Sequence, residues 1–338
     1  MTHESSATGA QESGISIIGV GGYVPSEPVT NEQLARTTGL TVEQILQRTG
    51  IQTRYVVGAG ETASGISAEA ARDAIAMAGV EADRLGLVIG CTYSGDYVLP
   101  AMACRVAGLV GAKNAGAFDL MANCTGFQVG ISVAADWMCQ DPSVEYGLVV
   151  GTAVQSPYID WRDPESIYFG DGAGAAVLGR VPPGYGILAR DLYTNPVVYD
   201  AVRLRGGGSS HPMRPENVGE GLQYYEMNGM EVWKQVIQYQ PRVIRGALAK
   251  IGKTVEDVDF FIFHQASLRL IEYLMARIHQ PMEHTYTNAA TIGNTADASL
   301  ALALAGAVTE GRIRRDDLVV VSGVGAGFTF GATVVRWY

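Results

Sequence analysis

Hydrophobic and polar positions alternate with two periods along this chain, and their order predicts a mixed α/β fold. Ser67–Ala78 is alanine-rich with helical spacing, Gly79 ends it, and LGLVIGCT (85–92) reads as a buried strand. AFDLM (117–121) reads as another strand and hands over to a buried helix, TGFQVGISVAADWM (125–138). In the second half ALAKIG (247–252) closes a helix, and VDFFIFHQ (258–265) reads as the next strand. Leu318–Val335 is apolar, uncharged and long enough to suggest a membrane span. Its glycines at 323, 325, 327 and 331 predict instead two buried strands joined by a turn, so no membrane segment is expected. The first 13 residues are polar and read as a loose tail.

The pattern repeats. Ala74, Ala76 and Gly79 stand 173 residues before Ala247, Ala249 and Gly252, and the same offset sets Cys91 opposite His264. GLVVGT (147–152) corresponds to DLVVVS (317–322) at an offset of 170, which sets Cys124 opposite Asn294. Two matches at nearly one offset predict an internal duplication. The halves are 14–182 and 183–338, joined through GRVPPGYG (179–186), where prolines and glycines interrupt both periods. Alternating strands and helices imply mostly parallel central sheets covered by helices. Ligands of such sheets bind beyond the carboxyl ends of the strands. Cys124, His264 and Asn294 each follow a strand-like stretch near a helix start, so the duplication predicts that they meet on one face.

Composition narrows the function. The 338 residues are 47% hydrophobic, with a formal net charge of −10. So acidic a chain is a poor binder of nucleic acid or of an anionic membrane surface. The four cysteines show neither C-x-x-C pairing nor zinc spacing, which predicts reduced thiols in the cytoplasm. Cys91, Cys104 and Cys139 read as buried free thiols. Cys124 stands apart, because a thiol at a helix N-terminus has its pKa lowered by the positive end of the dipole. Position alone leaves it either a core residue or a nucleophile. His264 is a hydrogen-bonded core histidine or its partner, and Asn294 an N-cap or a donor. GVGAGF (323–328) is a tight turn or, through Gly325 and Gly327, part of an oxyanion hole with the amide of Cys124. No glycine-rich stretch has the context of a dinucleotide fingerprint, so a nicotinamide or flavin site is not expected.

The motifs GVGGYVP (19–25), QRTGIQTR (47–54), ANCTGF (122–127), FGDGAGAAVL (169–178), HQASLR (264–269), GNT (293–295) and GVGAGFTFG (323–331) stand in one order. Together they resemble the β-ketoacyl-acyl-carrier-protein synthase III family, condensing enzymes of the thiolase superfamily, over nearly the whole chain after the tail. The resemblance implies a thiolase-like fold of two pseudo-twofold-related halves, with Cys124 as nucleophile and His264 and Asn294 as its partners. It implies an acyl-cysteine intermediate and decarboxylative Claisen condensation with a malonyl thioester, in fatty acid or polyketide biosynthesis. Acyl-CoA or acyl-carrier protein and malonyl-carrier protein would be the substrates, and no metal or redox cofactor is required. Arg48 would lie at the mouth of the coenzyme A or pantetheine tunnel. Lys234, Arg269 and Arg277 would dock an acidic carrier protein, and Leu99 would reach toward the acyl pocket of the partner in a homodimer.

The sequence departs from the family pattern at two positions. Gln44 stands where the family often has a tryptophan to stack on adenine, and Ile292 precedes Gly-Asn-Thr where the family has histidine. Both point to a specialised pathway member. An acyltransferase on the same fold, passing an acyl or malonyl group to a hydroxyl, amine or carrier thiol, would share Cys124 and His264. A non-catalytic chain-length subunit would lack the nucleophile.

Overall fold

The computed structural model describes residues 14–338, so the stretch read as a tail lies outside the described residues. The first half supplies strands β1 (Ile15–Tyr23), β2 (Leu85–Cys91), β3 (Gly116–Leu120), β4 (Tyr146–Ala153) and β5 (Gly172–Arg180). They form one sheet in the order β1-β5-β4-β2-β3. The second half supplies β6 (Gly186–Thr194), β7 (Phe260–Phe263), β8 (Leu318–Gly325) and β9 (Thr329–Arg336), in the order β6-β9-β8-β7. Position by position the second sheet repeats the first. Thr285, bridged in parallel to Phe261, stands where β3 stands beside β2.

Parallel pairing joins β2 to β3 and β4, and β7 to β8. The pairs β1–β5, β4–β5, β8–β9 and β6–β9 are antiparallel. The sheets are therefore mixed, which corrects the expectation of mostly parallel strands. The reason is plainest at β8 and β9: they are joined through 326–328, and a connection this short permits only a hairpin.

Helices α1 (Ala63–Ala78) and α2 (Met102–Val110) cover the outer face of the first sheet. Helices α4 (Gly229–Ala249) and α5 (Leu268–Arg277) cover that of the second. Between the sheets lie α3 (Gly126–Gln140) and α6 (Ser299–Thr309), giving a five-layer α/β/α/β/α stack. The sequence explains the placement. In α6, Leu300, Ala301, Ala303, Leu304 and Ala307 are all fully buried, and a helix apolar all round belongs between layers. Its close approach to β5 needs Gly174, where a Cβ would lie 2.6 Å from the Ala301 side chain.

Helix α1 begins at Ala63, four residues before the predicted start, because Thr62 accepts the N–H of Gly65 as an N-cap. It ends as predicted, with Gly79 at φ 65°. The run 318–335 forms β8 and most of β9, and among the described residues no helix is long and apolar enough to cross a membrane. Cys91 is buried, but Cys104 and Cys139 are exposed, which corrects the expectation of buried thiols; Cys104 lies at the sheet edge, its Sγ donating to Ala117 O of β3 at 3.7 Å. The connection 181–185 separates the two sheets. Val181 N–H donates to the carbonyl of Gly14 at 2.7 Å, and the Tyr185 ring lies 5.1 Å from that of Tyr338.

Candidate active site

Cys124 occupies a 3-10 turn, Asn123–Thr125, between β3 and α3. Asn123 takes φ 50°, a left-handed conformation that asparagine tolerates better than most side chains, and its Nδ2 donates to Ala326 O at 3.0 Å. That bond ties the Cys124 turn to the β8–β9 hairpin. Gly325 makes the approach possible, since a Cβ there would lie 2.2 Å from Ala122 O. Gly327, at φ 133°, has only Thr329 near the place of a Cβ. Gly325 is thus packed against the turn that carries Cys124, and Gly327 follows in the hairpin.

The expected acidic shift of Cys124 is not what this environment produces. Burial and the nearby Asp297 carboxyl push the half-buried thiol up, and a hydrogen bond from its own backbone only partly opposes them. Asp297 is itself fully buried, and neither carboxyl oxygen makes a hydrogen bond among the described residues. Burial holds it well above the usual carboxylate range. A thiol beside a buried acid gives up its proton more readily when the acid is neutral.

His264 follows β7 directly, its N–H donating to Ser322 O at 3.1 Å. Its Nδ1 lies 2.5 Å from Ser299 Oγ at the start of α6. Burial lowers its pKa to about 3, so the imidazole is neutral at physiological pH. Asn294 does not open a helix; it precedes the 3-10 turn Ala296–Ala298 and α6. Its backbone N–H donates to Tyr168 O at 2.8 Å, and its carbonyl accepts from Gly170 N at 3.0 Å and Gln155 Nε2 at 2.7 Å. Its Oδ1 accepts the N–H of Ala296 at 2.9 Å. Nδ2 makes no hydrogen bond among the described residues and is left as a free donor.

The strands and turns that carry these residues converge. The Cys124 turn packs on β8 and on the 296–298 turn, β8 receives His264, and Ser299 receives its ring. Asp171, fully buried, accepts the N–H groups of Val57, Gln155 and Ser156 and the hydroxyl of Ser156. Arg54, also fully buried, donates to Asn31 Oδ1 at 2.6 Å and to Ile167 O. Tyr93 O–H donates to Gln155 Oε1 at 3.0 Å, and its ring meets that of Tyr225 edge-on, centroids 6.0 Å apart. Both tyrosines lie in the electrostatic reach of Cys124. Tyr225 stands at the base of the exposed loop 205–221, which the ribbon Val202–Leu204 with Tyr225–Met227 closes.

The outlying residues fall elsewhere. Arg48, exposed in the last turn of the short helix Val42–Thr49, faces Glu165 and Tyr168. Gln44 in the same helix is engaged in a capping box with Thr41. Leu99 is 80% exposed and follows Tyr97 and Val98, also exposed. Trp233 on α4 packs on Tyr273 on α5, ring centroids 5.3 Å apart, which brings Lys234 to the exposed surface that carries Arg269 and Arg277. The patch is less basic than the sequence suggests, because Lys234 faces Glu231 at 3.9 Å and Arg269 pairs with Glu272 at 3.0 Å. Sequence reasoning missed Tyr93, Gln155, Tyr225, Asp297 and Ser299. A carboxylate and a serine inside the apolar run TADASLALAL were the available signal for the last two.

A half-buried cysteine before a central helix, a neutral histidine and an amide donor, all carried by two repeated α/β halves, define an acyl-transferring enzyme of thiolase-like fold. Residues 118–196 match the model for 3-oxoacyl-[acyl-carrier-protein] synthase III, and residues 248–337 match the model for its C-terminal part. A β-ketoacyl-[acyl-carrier-protein] synthase III of Symbiobacterium thermophilum is 38% identical over 96% of this chain and 98% of its own. The crystal structure of the 3-oxoacyl-[acyl-carrier-protein] synthase III of Aquifex aeolicus superposes with a TM-score of 0.86 at 32% identity, covering 96% of this chain and 100% of that one. The priming β-ketosynthase of the R1128 polyketide biosynthetic pathway superposes equally well, at 31% identity and covering 96% of both chains. The chain belongs to the β-ketoacyl-acyl-carrier-protein synthase III family.

Proposed function

We propose that this enzyme transfers an acyl group to Cys124 and condenses it with a malonyl thioester in fatty acid or polyketide synthesis. The acyl group arrives on coenzyme A or on an acyl-carrier protein. Cys124 gives up its proton as its sulfur attacks the acyl thioester, and backbone amides of Cys124 and of the Gly325–Gly327 hairpin hold the oxyanion. The departing thiolate takes a proton and leaves. Malonyl thioester then loses carbon dioxide, and the electron pair of the broken bond becomes an enolate. His264 Nε2–H and Asn294 Nδ2–H donate to its oxygen, the enolate carbon bonds to the acyl carbon, and Cys124 leaves as thiolate. These steps call for no metal or redox cofactor.

The observation that carries this reading is the pair of neutral donors. His264 is held uncharged by burial, and the oxygen of the Asn294 amide is already occupied by Ala296 N–H. A neutral pair stabilises an enolate without gripping the malonyl carboxylate that has to leave.

Arg48 at the tunnel mouth and Lys234, Arg269 and Arg277 beside it form the carrier-protein side of the site. The exposed Tyr97–Leu99 tip packs into a second copy of the chain, with Leu99 at its acyl pocket. Intact mass measured after incubation with a panel of acyl thioesters tests the first half-reaction: Cys124→Ala should gain no mass. Release of labelled carbon dioxide from malonyl-carrier protein tests the second. Acyl transfer from the unmutated enzyme without carbon dioxide would leave a plain acyltransferase.

A further inference from the structure

We infer that Ser299 is a positioning residue that holds His264 as the tautomer with its proton on Nε2. The inference deepens the role of His264 as enolate donor and rests on that reading for its catalytic consequence. Its structural content stands on the hydrogen bonds alone.

Ser299 is the first residue of α6 and is fully buried. Its Oγ lies 2.5 Å from His264 Nδ1 and 3.4 Å from the backbone nitrogen of Gln265. An amide N–H only donates, so Gln265 fills an acceptor site on Oγ. The hydroxyl proton then has one remaining acceptor, since among the described residues Oγ makes no third contact. That acceptor is Nδ1. Were the ring protonated on Nδ1 instead, two protons would compete for one short contact, and the serine proton would be a buried donor with no partner, which is costly. The ring therefore accepts at Nδ1 and carries its proton on Nε2.

The relay cannot easily turn around. Gln265 Nε2 donates to Phe263 O at 2.8 Å and Oε1 accepts Asn288 N–H at 3.1 Å, so the residue that donates to Ser299 is fixed on both sides. Ser322, which receives the backbone N–H of His264, accepts at Oγ from Gln240 Nε2 at 3.2 Å and donates to Gly331 O at 2.9 Å. Low basicity of the buried ring keeps a second proton from Nδ1.

Long-range proton–nitrogen correlation spectra of the histidine-labelled, unmutated enzyme test this directly, with His264→Gln assigning the signal. The expected pattern at pH 7 is an unprotonated Nδ1 and a protonated Nε2, unchanged on lowering the pH to 5. A proton on Nδ1, or a ring that titrates with the other histidines, overturns the inference. In Ser299→Ala the tautomer preference should relax and condensation kcat should fall about 10- to 100-fold, as for other histidines deprived of an orienting partner, with acylation of Cys124 unchanged. A folded variant with full kcat and an unaltered nitrogen pattern also overturns it. Should Ser299→Ala not fold, the spectrum of the unmutated enzyme decides. An Nε2–H tautomer in an enzyme that releases no carbon dioxide would sink the condensation reading and leave the role of Ser299 standing.

Discussion

Asn294 accepts the backbone N–H of Ala296 through its side-chain oxygen, and this one bond decides which end of the amide is left for a ligand. An aspartate at 294 can accept the same N–H, so Asn294→Asp preserves the turn, removes the donor and adds a charge. Acylation of Cys124 should be nearly normal. Carbon dioxide release should fall at least about a hundredfold, the cost of one lost oxyanion donor, roughly 3 kcal/mol, before the added charge repels the enolate. Acyl-enzyme mass and labelled carbon dioxide measured on the same samples give the comparison, and equal losses in both steps would count against the assignment.

Asp297→Asn should change two pH profiles. Burial and, once ionised, the Asp297 carboxyl raise the thiol of Cys124, so alkylation of Cys124 by iodoacetamide should reach its midpoint at lower pH in the variant. For stability the sign is opposite to that of a salt-bridged acid. The native carboxyl stays protonated above its ordinary range, whereas the unfolded chain releases the proton near pH 4. The native protein therefore loses stability as pH rises from about 4 towards the native pKa, and Asp297→Asn should relieve that loss. The variant should melt higher at pH 8 and show little difference at pH 4 in calorimetric scans. A melting difference that does not change with pH would remove the buried acid as its cause.

The two-half organisation was legible in the chain because buried strands and alanine-rich helices keep their spacing when a unit is copied. The finer match is not kept: Cys91 pairs with Gly151 and Ile262 with Val321, so the register sets Cys91 against Ile262 and not against His264, two residues further on. Strand direction was not legible, since a buried strand has the same composition whichever way it runs. Cys124 and His264 were found because each follows a strand; Asn294 follows the short helix Ala289–Ile292 instead, which the sequence did not reveal. Asp297 and Ser299 were not found, because a polar residue at a helix start ordinarily caps it in water, and only the second sheet overhead makes these two buried. The thiol's upward shift was missed for the same reason: the helix terminus is visible in the sequence, while the burial of the thiol and the unpartnered acid beside it are not.

Arg277 should be the most sensitive of the three residues proposed to dock the carrier protein. Lys234 and Arg269 already face acids on their own helices, whereas Arg277 makes no ion pair among the described residues. Arg277→Glu should weaken the reaction with carrier-bound malonate and spare a small pantetheine mimic. Raising salt should weaken the carrier reaction of the unmutated enzyme in the same direction. Equal loss with both substrates would place the effect on fold or chemistry.

Val98 is 97% exposed between Tyr97 at 67% and Leu99 at 80%, an apolar tip that a protein seldom leaves in water. Sedimentation of the unmutated protein should give a dimer, and Leu99→Asp should shift it toward monomer with loss of acylation. A monomeric, fully active unmutated enzyme would refute the role given to the tip.

The contacts of Val181 with Gly14 and of Tyr185 with Tyr338 gather three points of the chain at one corner. The start of β1, the last residue and the crossing between sheets lie together there, away from Cys124. A gene rewritten to begin within 181–185, with a short bridge from Tyr338 to Gly14, would encode the same two sheets in reverse order. Neither middle helix would lose its neighbours, and every residue of the site would keep its place. The geometry of the site therefore does not depend on the order in which the two halves are translated.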